Sequence, residues 1–262
     1  MNVQQIYNII DAFAPFSLQE SYDRAGLLVG GPDAEVHRVL LTLDITAPVV
    51  REAAEIGADL ILAHHPVIWD PLKSVSPVHP VWHLVQHNIA AICAHTNLDI
   101  AAGGLNDHFG AILREFLAFG DTAPLAQLPG SRTLGRTASL TQPTDAQSLA
   151  ETLKRALDCR SLRYYPGEQA ACISKIAWCT GSGGDLIPDA IAAGADALIT
   201  GDCKHSVWAE AQNRSFTLFD CGHFETEVIV TGLFRQILQS AAPGLETVIS
   251  QAGTKPFFRT VS

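Results

Sequence analysis

The segment Gly57-Ala58-Asp59-Leu60-Ile61-Leu62-Ala63-His64-His65-Pro66 decides how the chain is read. A Gly-Ala-Asp turn enters a short apolar run, which ends on two imidazoles and a proline. The run is too short for a helix and shows no polar alternation, the pattern of a strand buried on both faces of a parallel sheet. The same order recurs on either side. Val39 to Asp44 is an apolar run followed by a helix from about Pro48 to Ile56, and Ala90 to Ala94 runs into His95 after a loop and a helix. With a further helix near residues 2 to 13, the first half reads as βαβ units and the fold class as α/β, with mainly parallel sheets flanked by helices.

The texture changes between Gly120 and Thr144, where Pro124, Pro129, Gly130, Gly135 and Pro143 stand among small polar residues without periodicity. The boundary is placed there: a first lobe over residues 1–125 and a second over 126–262, with the C-terminal helix a candidate to pack back on the first lobe. Strand-like runs resume at Leu162 to Tyr165, Ile173 to Thr180, Ala197 to Thr200 and Phe216 to Phe219. Helical stretches fall near 146–157, 185–193 and 205–213. A last amphipathic helix, about Glu225 to Gln239, leads to a short strand. The halves also share letters. Gly194-Ala195-Asp196-Ala197-Leu198-Ile199 repeats the opening of the first quoted segment, and Cys93-Ala94-His95 with Asp99 is matched by Cys221-Gly222-His223 with Glu227. Two readings stand: chance likeness between ordinary αβ connections, or an old duplication giving two similar lobes that face each other across a shared site.

Composition narrows the function classes. The chain has 262 residues, 47% of them apolar and 17% charged, with a formal charge of -10. An acidic surface is wrong for gripping nucleic acid or an anionic membrane, since both need basic residues to displace counterions. The partner expected instead is a small-molecule substrate. The start MNVQQIYNIIDAFAPF lacks the features of a secretory signal, and no apolar run approaches the roughly 18 residues of a membrane span, so the expected location is cytoplasmic. The 6 cysteines occur singly, without CxxC spacing, and are expected to be reduced and buried.

Ligands of open parallel sheets bind beyond the carboxyl ends of the strands. Here the strand-like runs end in Asp44, His64 with His65, His95, Asp202 and His223. Adjacent residues on a regular strand point to opposite faces, but this restriction relaxes at a strand end, and Pro66 holds His65 extended. If a helix starts after Gly222, His223 and Glu227 share one face. In His95-Thr96-Asn97-Leu98-Asp99, Asn97 predicts a turn rather than a helix, with Asp99 as a second carboxylate. His64, His65, Asp99, His223 and Glu227 suit zinc, iron, manganese or cobalt. They are too many for one catalytic ion and too few to fill two. Two divalent ions per chain, about 3.5 to 4 Å apart and bridged, would fit that number and leave positions for substrate.

In order along the chain, Asp23-Arg24-Ala25-Gly26-Leu27, HHPVIW, HTNLD followed by GGLND, TGD with Lys204 two residues on, and GHFETE resemble the signature segments of the Nif-three-like dinuclear metal centre family. Its members are often labelled GTP cyclohydrolase 1 type 2 homologues. The resemblance implies two similar lobes with a two-metal site between them, homohexamers assembled as a ring, and ligands at His64, His65, Asp99, His223 and Glu227. It puts His95 beside the metals, and at this length implies the version without an inserted central domain. Two departures stand out: Arg24 where the family often has Asn, and Ser206, with His205 before it, where the family often has His.

The expected function is a metal-dependent hydrolase acting on a small, phosphorylated or nucleotide-like substrate. His95 and Glu225 are candidate proton carriers, and Lys204 a candidate to neutralise an anion. Gly181-Ser182-Gly183-Gly184-Asp185 could offer backbone amides to a phosphate; an ordinary glycine turn with Asp185 as helix cap explains it equally well. Nothing in the residues selects a guanine base. The rival reading is a non-enzymatic metal-binding ring or scaffold, for storage, sensing or partner recruitment.

Overall fold

The computed structural model describes residues 1–130 and 132–257, and the chain divides into two compact units. The first comprises Met1–Gly104 and Val228–Phe257; the second runs through Leu105–Glu227. Ser131 and residues 258–262, within the span expected for a second lobe, lie outside the described residues.

The first unit opens with α1 (Val3–Phe13), started by a reciprocal cap in which Asn2 accepts from the Gln5 amide and Gln5 from that of Asn2. There follow β1 (Gly26–Val29), β2 (Arg38–Thr42), α2 (Ala47–Glu55), β3 (Leu60–Ala63), α3 (Pro80–Gln86), β4 (Ala90–Cys93) and α4 (Thr96–Ile100). Strands β2, β3 and β4 are parallel, and β1 closes the β4 edge antiparallel. Every residue of β3 and β4 is buried, as their unbroken apolar runs predict. Segment α4 is helical, contrary to the turn expected from Asn97, whose side chain is buried and donates to the Ala14 carbonyl at 2.7 Å. Long-range burial overrides its local preference.

In the second unit the elements are α5 (Leu105–Leu113), β5 (Ala123–Leu128), β6 (Arg132–Thr144), α6 (Ala146–Ala156), β7 (Arg163–Tyr165), β8 (Ile173–Trp178), α7 (Ile187–Ala192), β9 (Ala197–Thr200), α8 (His205–Asn213), β10 (Thr217–Asp220) and α9 (His223–Glu227). The sheet order is β5-β6-β8-β9-β10-β7, with a parallel centre of β8, β9 and β10 and antiparallel strands at both margins. The stretch read as a boundary is thus a hairpin, and the expected division at 125/126 falls inside β5. Its glycines and prolines have local jobs: Gly130 supplies a left-handed residue after Pro129, and Pro124 sits on an edge strand where no ladder amide is needed. Trp178 is fully buried; its indole N–H donates to the Asn106 carbonyl at 2.9 Å, and Gly110 of α5 leaves room for the ring.

The chain then re-enters the first unit. The expected helix near 225–239 is two: α9 ends at Glu227, and α10 (Val230–Ala241) packs on α1 and β2 before β11 (Glu246–Ile249) joins β2 in parallel. Among the described residues no helix is long and apolar enough to cross a membrane. Cys172 is exposed, unlike the other cysteines, which are buried as expected.

The repeated Gly-Ala-Asp has a physical reason. Gly57 and Gly194 take left-handed φ values of 66° and 71°, which end α2 and α7. The Asp59 carboxylate then accepts from the amides of His37 and Arg38 at 2.7 and 3.0 Å, and Asp196 from those of Ser174 and Lys175 at 2.8 and 2.9 Å. In each unit one carboxylate therefore ties the start of one parallel strand to the next, so the likeness between the halves is one of hydrogen bonding as well as letters. Replacing either Asp59 or Asp196 with Ala strands two amides and is expected to lower the unfolding free energy by about 1–3 kcal/mol in urea titrations. A loss under about 0.5 kcal/mol at both would refute this role.

Candidate metal centre

The amides of His64 and His65 both donate to the Leu43 carbonyl, at 3.2 and 3.0 Å. Two consecutive residues bonded to one acceptor break strand alternation, which lets both imidazoles leave the same end of β3. His64 is buried, and its Nδ1–H donates to the Ala94 carbonyl at 2.8 Å. A carbonyl can only accept, so the proton is on Nδ1, and Nε2 turns toward Asp99 Oδ1 at 3.7 Å. His65 Nδ1 meets Asp44 Oδ1 at 2.8 Å, and His95 Nδ1 meets Asp23 Oδ1 at 2.9 Å. Ring centroids of the three histidines lie 5.1 to 5.5 Å apart, and each can offer a ligand atom within 4.8 Å of the others. Asp99, one helical turn beyond His95 in α4, is buried. Trp69 lies edge-on to His95, with centroids 5.2 Å apart.

In the second unit, β9 stops at Thr200 and the turn after it carries Asp202, a non-glycine residue with a left-handed φ of 56°, while Gly222, with φ 91°, turns β10 into α9. At the start of α9, His223 sets Nδ1 against Asp202 Oδ2 at 3.1 Å and Nε2 against Glu227 Oε2 at 2.8 Å, the i, i+4 pairing expected. Gly181 is required beside this pair, because any Cβ there would overlap the Glu227 carboxylate and stand 3.5 Å from His223 Nε2.

The remaining expected residues are placed as follows. Glu225, two positions from His223, lies off the face shared by His223 and Glu227; its carboxylate packs on Gly222. Lys204 is exposed and makes no side-chain cap at the start of α8, which begins with His205 and Ser206. Two amides of the glycine segment are turned to side chains of the protein and are not offered to a phosphate: Gly181 N–H donates to Thr226 Oγ1 at 3.0 Å and Gly183 N–H to Thr200 Oγ1 at 2.8 Å. Asp185 lies within a 3-10 turn, Gly184–Leu186, and does not occupy the cap position of that turn or of α7, which are Gly183 and Leu186.

The donor chemistry fits a divalent ion of borderline character. Four imidazoles turn Nδ1 to an oxygen (Ala94, Asp44, Asp23 and Asp202), which directs Nε2 to the ligand role, the usual way a protein fixes a metal-binding tautomer. Thiolates do not compete: burial, with smaller contributions from nearby carboxylates, pushes the Cys93 and Cys203 thiols up to about 12 and Cys159 to about 11. Sequence reasoning attached no role to Asp23, 72 positions from His95. It also accepts from the Thr96 amide and hydroxyl and from the Arg24 amide.

Comparison with known proteins shows what the chain is similar to. The profile of the Duf34/NIF3 (NGG1p interacting factor 3) family matches residues 1–256. A "GTP cyclohydrolase 1 type 2 homolog" of Clostridium perfringens is 32% identical over 267 aligned positions, covering 98% of this chain and 99% of the relative. One of the same name from Streptococcus pneumoniae is 33% identical, covering 98% and 99%. Among solved structures, a Staphylococcus aureus hypothetical protein superposes with a TM-score of 0.89 at 26% identity, covering 99% of each chain.

Asp23 generates a pH prediction. Burial alone would raise its carboxyl, but the hydrogen bonds from His95 and Thr96, the charge of His95 and the Arg24 amide hold it at about 2, below the ordinary 3.8. A depressed native value stabilises the fold fully above about pH 4, and that contribution, on the order of 2 kcal/mol, disappears as pH falls toward 2. Urea unfolding between about pH 5 and pH 2 is expected to show wild type losing about 2 kcal/mol more than Asp23→Asn; parallel curves would rule the contribution out.

Proposed function

The chain belongs to the Duf34/NIF3 family, and from that premise we propose that it is a dinuclear metal-binding protein working as a metal-dependent hydrolase. In this reading His64, His65 and Asp99 of the first unit and His223 and Glu227 of the second hold two divalent ions from the series zinc, iron, manganese and cobalt. The observation that carries it is the set of imidazoles whose Nδ1 atoms are all engaged by oxygens, since a surface or core histidine has no need of such uniform orientation. Bound ions of this kind supply an acidified water and polarise a carbonyl or phosphoryl oxygen.

The protein's own groups have separate tasks. Ala94 O, Asp44 and Asp202 fix the tautomers of His64, His65 and His223. His95, oriented by Asp23, stands next to His64 and His65, where it can carry a proton to or from a substrate. Lys204, exposed just beyond Asp202, is assigned to attract an anionic group. Glu225, packed on Gly222, is left without a chemical role. The substrate class is a small molecule with a carbonyl or phosphoryl electrophile, such as a phosphoester, cyclic amide or nucleotide.

Metal analysis of the purified protein tests the centre: two ions per chain are expected, and His64→Ala is expected to lose them. Protein loaded with manganese, zinc or iron is then screened on phosphoesters, cyclic amides and nucleotides, with turnover expected to fall at least about a hundredfold in Glu227→Ala. Two bound ions without turnover on any substrate would replace the hydrolase with a non-enzymatic metal-binding protein. No metal bound at micromolar concentration would defeat both.

A further inference from the structure

Asp220, the last residue of β10, is buried and accepts three hydrogen bonds from three places in the second unit. Oδ1 takes the Gly222 amide at 3.1 Å; Oδ2 takes the Cys203 amide at 3.2 Å and Arg163 Nη2 at 2.5 Å. The first amide belongs to the turn that delivers His223, and the second to the turn that carries Asp202. Arg163 stands opposite Asp220 in the β7–β10 pair, and its guanidinium lies 5.5 Å from the centroid of Trp208. The Trp208 indole N–H in turn donates to the Cys203 carbonyl at 3.1 Å. Cys203 is thus gripped by both its amide and its carbonyl, directly after Asp202 in its left-handed conformation. An unfavourable backbone conformation persists only where surrounding bonds over-determine it.

We infer that Asp220 is a positioning residue for the metal centre, its single carboxylate setting the Asp202 turn against the His223 turn so that Asp202 can hold the imidazole. Arg163 and Trp208 brace it from the outer side. The strand-end aspartate between Phe219 and Cys221 has no bond to an imidazole; it acts through the main chain of two neighbouring turns. The inference rests on the metal-centre reading for its effect on binding, but its effect on the turns stands without any metal.

The test compares Asp220→Asn with Asp196→Asn, which removes a backbone-accepting carboxylate of the same unit at the opposite ends of the strands and so reports general loss of stability. Two quantities are measured: cobalt(II) affinity and absorption spectrum on the full chain, and amide exchange in metal-free protein. Asp220→Asn is expected to weaken cobalt binding by about tenfold and change its spectrum, as loss of an outer partner of a ligand does. Exchange at Cys203 and Gly222 is expected to accelerate while that at Thr200 does not, and Asp196→Asn is expected to leave cobalt binding unchanged. Equal weakening by both variants, or wild-type cobalt binding in Asp220→Asn, would overturn the inference. If wild type binds no cobalt, the metal reading fails on its own account; selective exchange at Cys203 and Gly222 then still supports the bracing role, and unchanged exchange there overturns it. Should Asp220→Asn fail to fold, the exposed Arg163→Gln replaces it and is read by the same two measurements.

Discussion

In each unit, neighbouring parallel strands that end close to level with one another impose the rest of the structure. Thr42, Ala63 and Cys93 are register partners across β2, β3 and β4, and Thr200 pairs with Asp220 across β9 and β10. Parallel pairing needs helical crossovers, which cover the faces of the sheet and force the strands themselves to be apolar. Polar side chains are therefore few in the buried strand bodies, and those of Asp, His and Glu collect where the strands stop. Asp44, His64, His65 and His95 gather in this way in the first unit, and Asp202 and His223 in the second.

Gathering histidines does not make a ligand set, because an imidazole can present either nitrogen. The decisive step is the oxygen set behind each ring. A carbonyl does this for His64, and carboxylates for His65, His95 and His223. Such bonds orient the ring and raise its basicity together. Backbone conformation serves the same purpose. Asp202 adopts a left-handed φ that glycine would take more easily, and Gly181 is kept small against Glu227. Local conformational cost is accepted where donor geometry requires it.

Much of this was legible in the residues. The short apolar runs that became β3, β4, β9 and β10 carry their own evidence of burial, and glycine followed by a capping aspartate marks the entry to β3 and β9. The i, i+4 spacing of His223 and Glu227 translated directly into contact. The hairpin of β5 and β6 was not legible, since proline and glycine interrupt its strands, β6 is largely polar, and their conformation comes from pairing, β5 with β6 and β6 with β8, rather than from a hydrophobic period. The return of the C-terminal helix to the first unit stood as a candidate in the sequence, but the pairing of β11 with β2 did not; it is decided by the edge that β2 leaves open. Asn97 was misread for a related reason: its side-chain amide donates to a carbonyl 83 positions away. The glycine segment at 181–185 looked like a phosphate loop only while the partners of its amides, Thr200 and Thr226, were unknown.

The sequence by itself determined the fold class, the strand ends at which chemistry collects, and the identity of the imidazoles and carboxylates available there. These follow from patterns only a few residues long, in which burial and backbone geometry are encoded locally. The tertiary structure alone decided which nitrogen each histidine presents, that Asp23 stands behind His95, and that Asp220 bridges two turns. Each of those depends on a hydrogen bond or a close approach fixed by folded geometry, and residue spacing carries no record of which acceptor will lie opposite which donor once the strands are aligned.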